Sequence, residues 1–223
     1  MNFSKPLRLL IFGMQGSGKG TQAKILKNKY GICHIAPGDI FREEISSETD
    51  LGKELQKYVT KGLLVPDEIT IAVLGEYLQK DSCKKGFILD GFPRNQVQQD
   101  GLQELLQKLK LDITAVIFIN ISEVEVQKRL LGRRICSGCQ ALFNVYTNPP
   151  KQEDICDACG EKLQKRSDAN EEAIIKRIEI YKKCTFPLLD FYNKSDLLLK
   201  IEGKQSIDTI HNQIVEKLYA HLH

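Results

Sequence analysis

The stretch Leu7–Thr21, LRLLIFGMQGSGKGT, decides the fold. Its apolar run Leu9 to Phe12 reads as a buried strand. Beyond the glycines, Ala23, Ile25, Leu26 and Tyr30 recur at a spacing that fits a helix. Between them, Gly13, four residues and then Gly18-Lys19 match the phosphate-binding loop G-x-x-x-x-G-K. Glycines let successive backbone N–H groups face one anion, and the helix N-terminus adds partial positive charge. Lys19 then reaches the terminal phosphates. Gly20 follows the lysine, so the hydroxyl that usually meets magnesium is displaced to Thr21.

Working outward, 223 residues suffice for one sizeable core with small inserts. A net charge of +3 is too small to imply nucleic acid or membrane. No apolar run approaches the ~20 residues that span a bilayer. The first apolar run ends in the phosphate loop, unlike a signal peptide. These features predict a cytoplasmic protein. No long apolar surface stripe demands a partner, so a monomer is expected.

Strand and helix patterns alternate along the chain. Ile32 to Ile35, Phe87 to Leu89, Ile113 to Ile119 and Leu197 to Ile201 read as further strands. Helical patterns cover Ile40 to Ser46, Leu51 to Val59, Pro66 to about Lys80, Gln96 to Lys110 and Glu123 to Leu131. Two more run from Glu171 to about Asn193, with a kink expected at Pro187, and from Ile207 to Leu222. Alternation predicts an α/β fold with a central parallel sheet and right-handed crossovers. Ligands then sit at the carboxyl ends of the strands. The glycine loop and Asp90-Gly91-Phe92-Pro93-Arg94 should therefore face one crevice. Two segments, 38–67 and 133–166, read as excursions from a core formed by 1–37, 68–132 and 167–223. Gly132 is the expected hinge of the second.

Four of the seven cysteines form Cys136-x-x-Cys139 and Cys156-x-x-Cys159, with sixteen residues between the pairs. Four thiolates at this spacing fit tetrahedral structural zinc. Free thiols or an iron–sulfur cluster are the alternatives. Cys33, Cys83 and Cys184 stand apart, and the odd count predicts reduced thiols, not disulfides. Of the four histidines, His34 stands alone, whereas His211, His221 and His223 fall in or beside the last helix and are expected at the surface.

Phosphoryl transfer needs phosphates held in line with their charge neutralised. Arginine suits this, because its donors fork onto phosphate oxygens and it stays charged. Arg42, Arg94, Arg129, Arg133, Arg166 and Arg177 lie at expected element ends. Arg129 and Arg133, four apart, are expected on one face of one helix.

Together these strings resemble the adenylate kinases, in their form with an extended lid. The likeness covers essentially the whole chain. It includes the loop through Gln22, Gly38-Asp39 with Arg42, and Gly62-Leu63-Leu64-Val65-Pro66-Asp67. It continues through Asp90 to Arg94, Gly132-Arg133-Arg134, Asn148-Pro149-Pro150-Lys151, and Arg166-Ser167-Asp168 with Glu171-Glu172 and Arg177.

The resemblance implies a phosphoryl-transferase core with a nucleoside-monophosphate-binding insert at 38–67 and a zinc lid at 133–166. It implies ATP + AMP giving two ADP, reversibly, with Mg2+. Gly16, Ser17, Gly18, Lys19, Gly20 and Thr21 would hold ATP phosphates. Leu142, Phe143 and Gln205 would lie near the donor base. Arg129, Arg133, Arg166 and Arg177 would close on the transferred group, the last two also reaching AMP. Arg42 and Arg94 would hold the AMP phosphate beside Pro37, Gly91, Phe92 and Pro93. Gln98 would read the adenine edge beside Leu63, Leu64 and Val65. Asp90 would orient magnesium through water, and Cys136, Cys139, Cys156 and Cys159 would bind zinc.

Three positions depart from the family pattern: Gln15 replaces a proline, Pro37 a hydroxyl residue, and Ala169 the second of two aspartates. A pyrimidine nucleotide kinase is one rival, opposed by Gln98 and the long cysteine-bearing lid. A non-catalytic P-loop protein with a nucleic-acid-binding zinc module is another. The Cys136–Cys159 span carries one lysine, balanced by acids, which argues against it.

Overall fold

The computed structural model describes residues 3, 5–165 and 171–223. Arg166, Ser167, Asp168 and Ala169, all singled out in the sequence, lie outside the described residues. The strands in chain order are β1 (Leu7–Phe12), β2 (Cys33–Ile35), β3 (Gly86–Asp90), β4 (Ala115–Asn120), β5 (Arg133–Cys136), β6 (Leu142–Asn144), β7 (Leu163–Gln164) and β8 (Leu198–Glu202). The helices are α1 (Lys19–Tyr30), α2 (Pro37–Ser46), α3 (Asp50–Val59), α4 (Asp67–Leu78), α5 (Gln96–Leu109), α6 (Glu123–Leu131), α7 (Glu171–Ile180), α8 (Leu188–Lys194) and α9 (Ile207–Leu222).

Five strands form a wholly parallel sheet in the order β2-β3-β1-β4-β8, with the glycine-loop strand in the middle. Alternate residues of β1 point to opposite faces. Leu10 and Phe12 pack with Leu74, Leu102, Phe87 and Leu189. Leu9 and Ile11 pack with Leu26 of α1 and Ile210, Ile214 and Leu218 of α9. Helices cover both faces, so the strands read as continuous apolar runs instead of alternating ones. Side chains cap several helices: Thr49, Asn95, Ser122 and Ser206 each accept a backbone N–H from the first turn.

Several local expectations change. Residues 133–164 contain a three-stranded antiparallel sheet, β6-β5-β7, that the sequence pattern did not show. Its strands are only two to four residues long, too short for a period to register. Helix α6 ends at Leu131, so Arg133 starts β5 and does not share a helix face with Arg129. Gly132, the α6 C-cap, leaves room for Tyr146; an added Cβ would lie 2.5 Å from that ring. Pro187 follows a π-helical turn, Tyr181–Thr185, in which the Phe186 N–H donates to the Tyr181 carbonyl at 2.8 Å.

Cys33 and Cys83 are not separate thiols but a disulfide, with Cα atoms 4.8 Å apart. Cys33 pairs in register with Phe87, and Cys83 lies in the short turn that leads into β3. Counting cysteines cannot reveal a contact made by strand register across 50 positions.

His211 is also corrected. It is buried where α9 meets α1, with Lys29 Nζ 3.3 Å from its Nε2. Lysine only donates, so Nε2 accepts and the ring is neutral. Burial and then the Lys29 charge lower its pKa, with Asp208 opposing. The unfolded chain therefore binds this proton more readily, and stability falls as pH drops through the ordinary histidine range, about 6.5. Replacing His211 with Leu should flatten the loss of melting temperature between about pH 7 and 5. Gly86 tests the sheet itself. Its φ is +135°, and an added Cβ would lie 2.4 Å from the Leu7 carbonyl oxygen. Gly86→Ala should cost ~2 kcal/mol or more, read as a lower thermal midpoint.

Candidate active site

At the carboxyl ends of the strands lies a cleft of about 590 Å³. One wall is the glycine loop. Gly13, Gly16 and Gly18 all have positive φ, and a Cβ on Gly13 would meet the Ile119 carbonyl at 2.5 Å. Helix α1 begins at Lys19, so its unpaired N–H groups open onto the cleft. Lys19 Nζ donates to the Gly13 and Met14 carbonyls at 2.6 and 2.9 Å. It is hemmed in by protein, and burial is the largest influence on it. Asp90 opposes, Arg94 and Arg133 assist, and its pKa falls to about 8.

Asp90 ends β3 below this loop. Its Oδ2 lies 3.3 Å from His34 Nε2, with both side chains largely buried. Burial pulls the carboxyl upward, but the His34 hydrogen bond and the Lys19 and Arg94 charges hold it below the usual carboxylate range. A Cβ on Gly20 would stand 3.2 Å from the same oxygen. The glycine after the lysine thus gives the carboxylate its closest approach to the start of α1.

The opposite wall is built around α2. Pro37 is its first residue, which suits a position with no N–H to satisfy. Arg42 and Arg94 converge on Gly38, their guanidinium nitrogens 3.4 and 3.6 Å from where its Cβ would be. Two cations at a helix N-terminus make an anion site. Arg94 Nε donates to the Gly91 carbonyl at 2.8 Å, and the Thr185 hydroxyl donates to the Arg94 carbonyl. Burial, then the Arg177 and Arg42 charges, lower the Arg94 pKa to about 10, with Asp90 opposing. Arg42 is ion-paired to Asp39, and Arg177 donates to the Val59 carbonyl at 3.2 Å.

The described residues expected to touch ATP or AMP line this cleft, with the exception of Pro93, which follows Phe92 through a cis peptide. Leu142, Phe143, Gln205, Leu63, Leu64, Val65 and Gln98 all line the cleft. Gln98 is 2 % exposed, so it is no solvated helix residue. Arg129 lines the cleft too, but its donors are engaged. They reach Glu125 Oε1 at 2.6 Å, the Gly203 carbonyl at 3.1 Å and the Gly16 carbonyl at 3.5 Å. It clamps the glycine loop to the turn after β8. Thr185 draws no notice in the sequence, His34 stands out there only as a lone histidine and Asp67 only as the end of the Gly62–Asp67 string, and none is given a role. Their signal is tertiary: each supports a residue distant in the chain.

Away from the cleft, the four paired cysteines converge, their sulfurs all within 4.8 Å of one another. Cys136 and Cys159 sulfurs are 3.3 Å apart, and Cys139 and Cys156 sulfurs 3.6 Å. Tetrahedral zinc with ~2.3 Å bonds to sulfur sets sulfurs about 3.8 Å apart, so the cluster fits that ion. Backbone N–H groups of Cys139 and Ala158 point at the Cys136 and Cys156 sulfurs, each at 3.4 Å. The apolar cluster here is small, with Leu163 and the two buried cysteines backed by Ala141 and Phe143.

Comparison with known proteins agrees with this geometry. The family model described as "Adenylate kinase" matches residues 11–197. A protein named adenylate kinase from Caldanaerobacter subterraneus subsp. tengcongensis is 43 % identical over 212 residues, covering 95 % of this chain and 96 % of that protein. One from Bacillus cytotoxicus is 45 % identical over 204 residues, covering 92 % and 94 %. One from Clostridium novyi is 42 % identical over 216 residues, covering 97 % and 98 %. With its paired anion sites in one cleft, the chain belongs to the adenylate kinase family of nucleoside monophosphate kinases.

Proposed function

We propose that this protein transfers the terminal phosphoryl group of ATP to AMP, giving two ADP, reversibly and with Mg2+. One observation carries the reading: two anion sites, each at a helix N-terminus, share a single cleft. Lys19 and the loop N–H groups suit the donor phosphates. Arg42 and Arg94 at α2 suit the acceptor phosphate. Arg133, which acts on Lys19, and Arg177, which acts on Arg94, would neutralise charge on the transferred group. Asp90, held below the usual carboxylate range, would orient the water of magnesium, whose charge would offset that of the donor phosphates. Nothing covalent is required of the protein; it aligns acceptor oxygen and phosphorus and excludes water.

We further assign 38–67 as the acceptor-binding insert and 133–166 as a lid held together by zinc. The four sulfurs supply all four positions of a tetrahedral ion, so the metal would be structural. The small apolar cluster there supports the view that metal binding stabilises this segment. Closure would bring Arg133, Leu142 and Phe143 over the nucleotide and exclude water. The absence of a membrane-length apolar helix among the described residues is compatible with a cytoplasmic monomer acting on small nucleotides.

Coupled assay of ADP formation with AMP, GMP, CMP and UMP should show AMP as the preferred acceptor. Preference for UMP or CMP would replace this reading with the pyrimidine one. Arg94→Ala and Lys19→Met should each lower kcat/KM by two or more orders of magnitude. Their melting temperatures should not fall as a core truncation's would. Purified protein should carry about one zinc per chain, because four thiolates complete one tetrahedral ion. Chelation should lower the thermal midpoint while ATP still binds at low temperature. Immediate, total loss of ATP binding with the segment still folded would contradict a structural metal.

A further inference from the structure

Gln98 is held at both ends of its amide. Its Nε2 donates to Asp67 Oδ1 at 2.8 Å, and its Oε1 accepts the Arg94 backbone N–H at 2.8 Å. Asp67 also accepts from Asn95 Nδ2 at 2.9 Å, and Asn95 Oδ1 accepts the Gln98 backbone N–H, capping α5. An ionised carboxylate accepts only, and a backbone N–H donates only. The two ends of the amide are therefore not interchangeable: the NH2 must face Asp67 and the oxygen must face Arg94. Gln98 lines the cleft, whereas Asp67 stands behind it at the first residue of α4.

Each end of the amide keeps one further hydrogen-bonding capacity, one N–H and one lone pair. Adenine presents an amino donor at position 6 beside an acceptor at N1. A 6-oxopurine has the same outline with the two roles exchanged, an acceptor at position 6 beside an N–H. A glutamine free to flip could serve either base. With its oxygen toward position 6 and its NH2 toward N1, a glutamine fixed in this orientation matches adenine and places oxygen against oxygen and N–H against N–H for the 6-oxopurine.

We infer that Asp67 is a specificity-positioning residue, which makes the acceptor site select a 6-aminopurine over a 6-oxopurine by locking the Gln98 amide. This rests on the reading of Gln98 as the contact to the acceptor base. Asp67 itself does not touch nucleotide, so its effect should be on acceptor choice and acceptor KM, with the KM for ATP unchanged.

The experiment compares AMP with inosine 5′-monophosphate as acceptors in the full-length protein, reporting the ratio of kcat/KM. Wild type should prefer AMP at least 100-fold, as sites that pair with a substrate N–H reject the analogue lacking it. Asp67→Ala should lower the ratio at least tenfold, mainly through a higher KM for AMP. Asp67→Asn, which keeps an acceptor at the same place, should retain most of the preference. If Asp67→Ala does not fold, Asp67→Ser decides the matter. Serine favours helix N-termini, and its hydroxyl can donate or accept, so the ratio should fall there too. A ratio within twofold of wild type in the folded Ala or Ser variant overturns the inference. Gln98→Leu separates the two levels. If it leaves the ratio unchanged, Gln98 does not read the base, and the acceptor-site assignment fails along with the role of Asp67. If Gln98→Leu abolishes the preference while Asp67→Ala keeps it, only the role of Asp67 is lost.

Discussion

Crowded positive charge is the constraint on which the rest of this structure depends. Lys19, Arg42, Arg94, Arg133 and Arg177 share one cleft, and their mutual repulsion with burial lowers the proton affinity of Lys19 and Arg94. Such crowding is costly, and the fold offsets it with carbonyls and carboxylates. Lys19 folds back onto its own loop, Arg94 rests on Gly91, Arg177 on Val59, and Asp39 pairs with Arg42. Held by these partners, the cations are fixed in position within the cleft, which is the preorganisation that stabilising charge requires.

The sheet explains why so few residues are needed to build this. Parallel strands end together, and each carboxyl end launches a loop into the same space. β1 delivers the glycine loop, β3 delivers Asp90 and the turn to Arg94, and β2 delivers α2. The missing hydroxyl after Lys19 finds its physical reason here. Gly20 abuts Asp90, so the place where a longer side chain would stand is filled by a carboxylate from the neighbouring strand.

Much of this was legible in the sequence because it is local. The glycine loop, the run ending in Asp90 and the amphipathic Ile207–Leu222 each carry their signal within a dozen residues, and the elements fall within a few positions of expectation. The glycine loop and the Asp90–Arg94 turn could be placed because the strands they follow could be placed, whereas Leu63, Gln98, Phe143 and Gln205 were named only through the family resemblance. What escaped depends on register and packing. The short strands β5 to β7 are too brief to show a period, and Arg133, expected on a helix face with Arg129, opens β5 instead, because α6 ends at Leu131 as its pattern indicates. His34, Asp67 and His211 owe their surroundings to partners between 28 and 182 positions away, which no window on the sequence contains. The Cys33–Cys83 pairing failed for the same reason.

That pairing has a consequence for the segment that carries α2, α3 and α4. The crosslink closes a covalent ring of 50 residues of separation, and α2, α3 and α4 all lie inside it. Both roots of the ring are fixed at the same edge of the sheet. The segment carrying Arg42, Leu63 and Val65 is therefore tied to the sheet at both ends. Its unfolded excursions are shortened in the same way, since closing a loop removes chain entropy from the disordered state. The three-residue strand β2, on the outer edge of the sheet, is thereby kept in register by a bond as well as by its hydrogen bonds. The helix that it launches inherits that fixed origin.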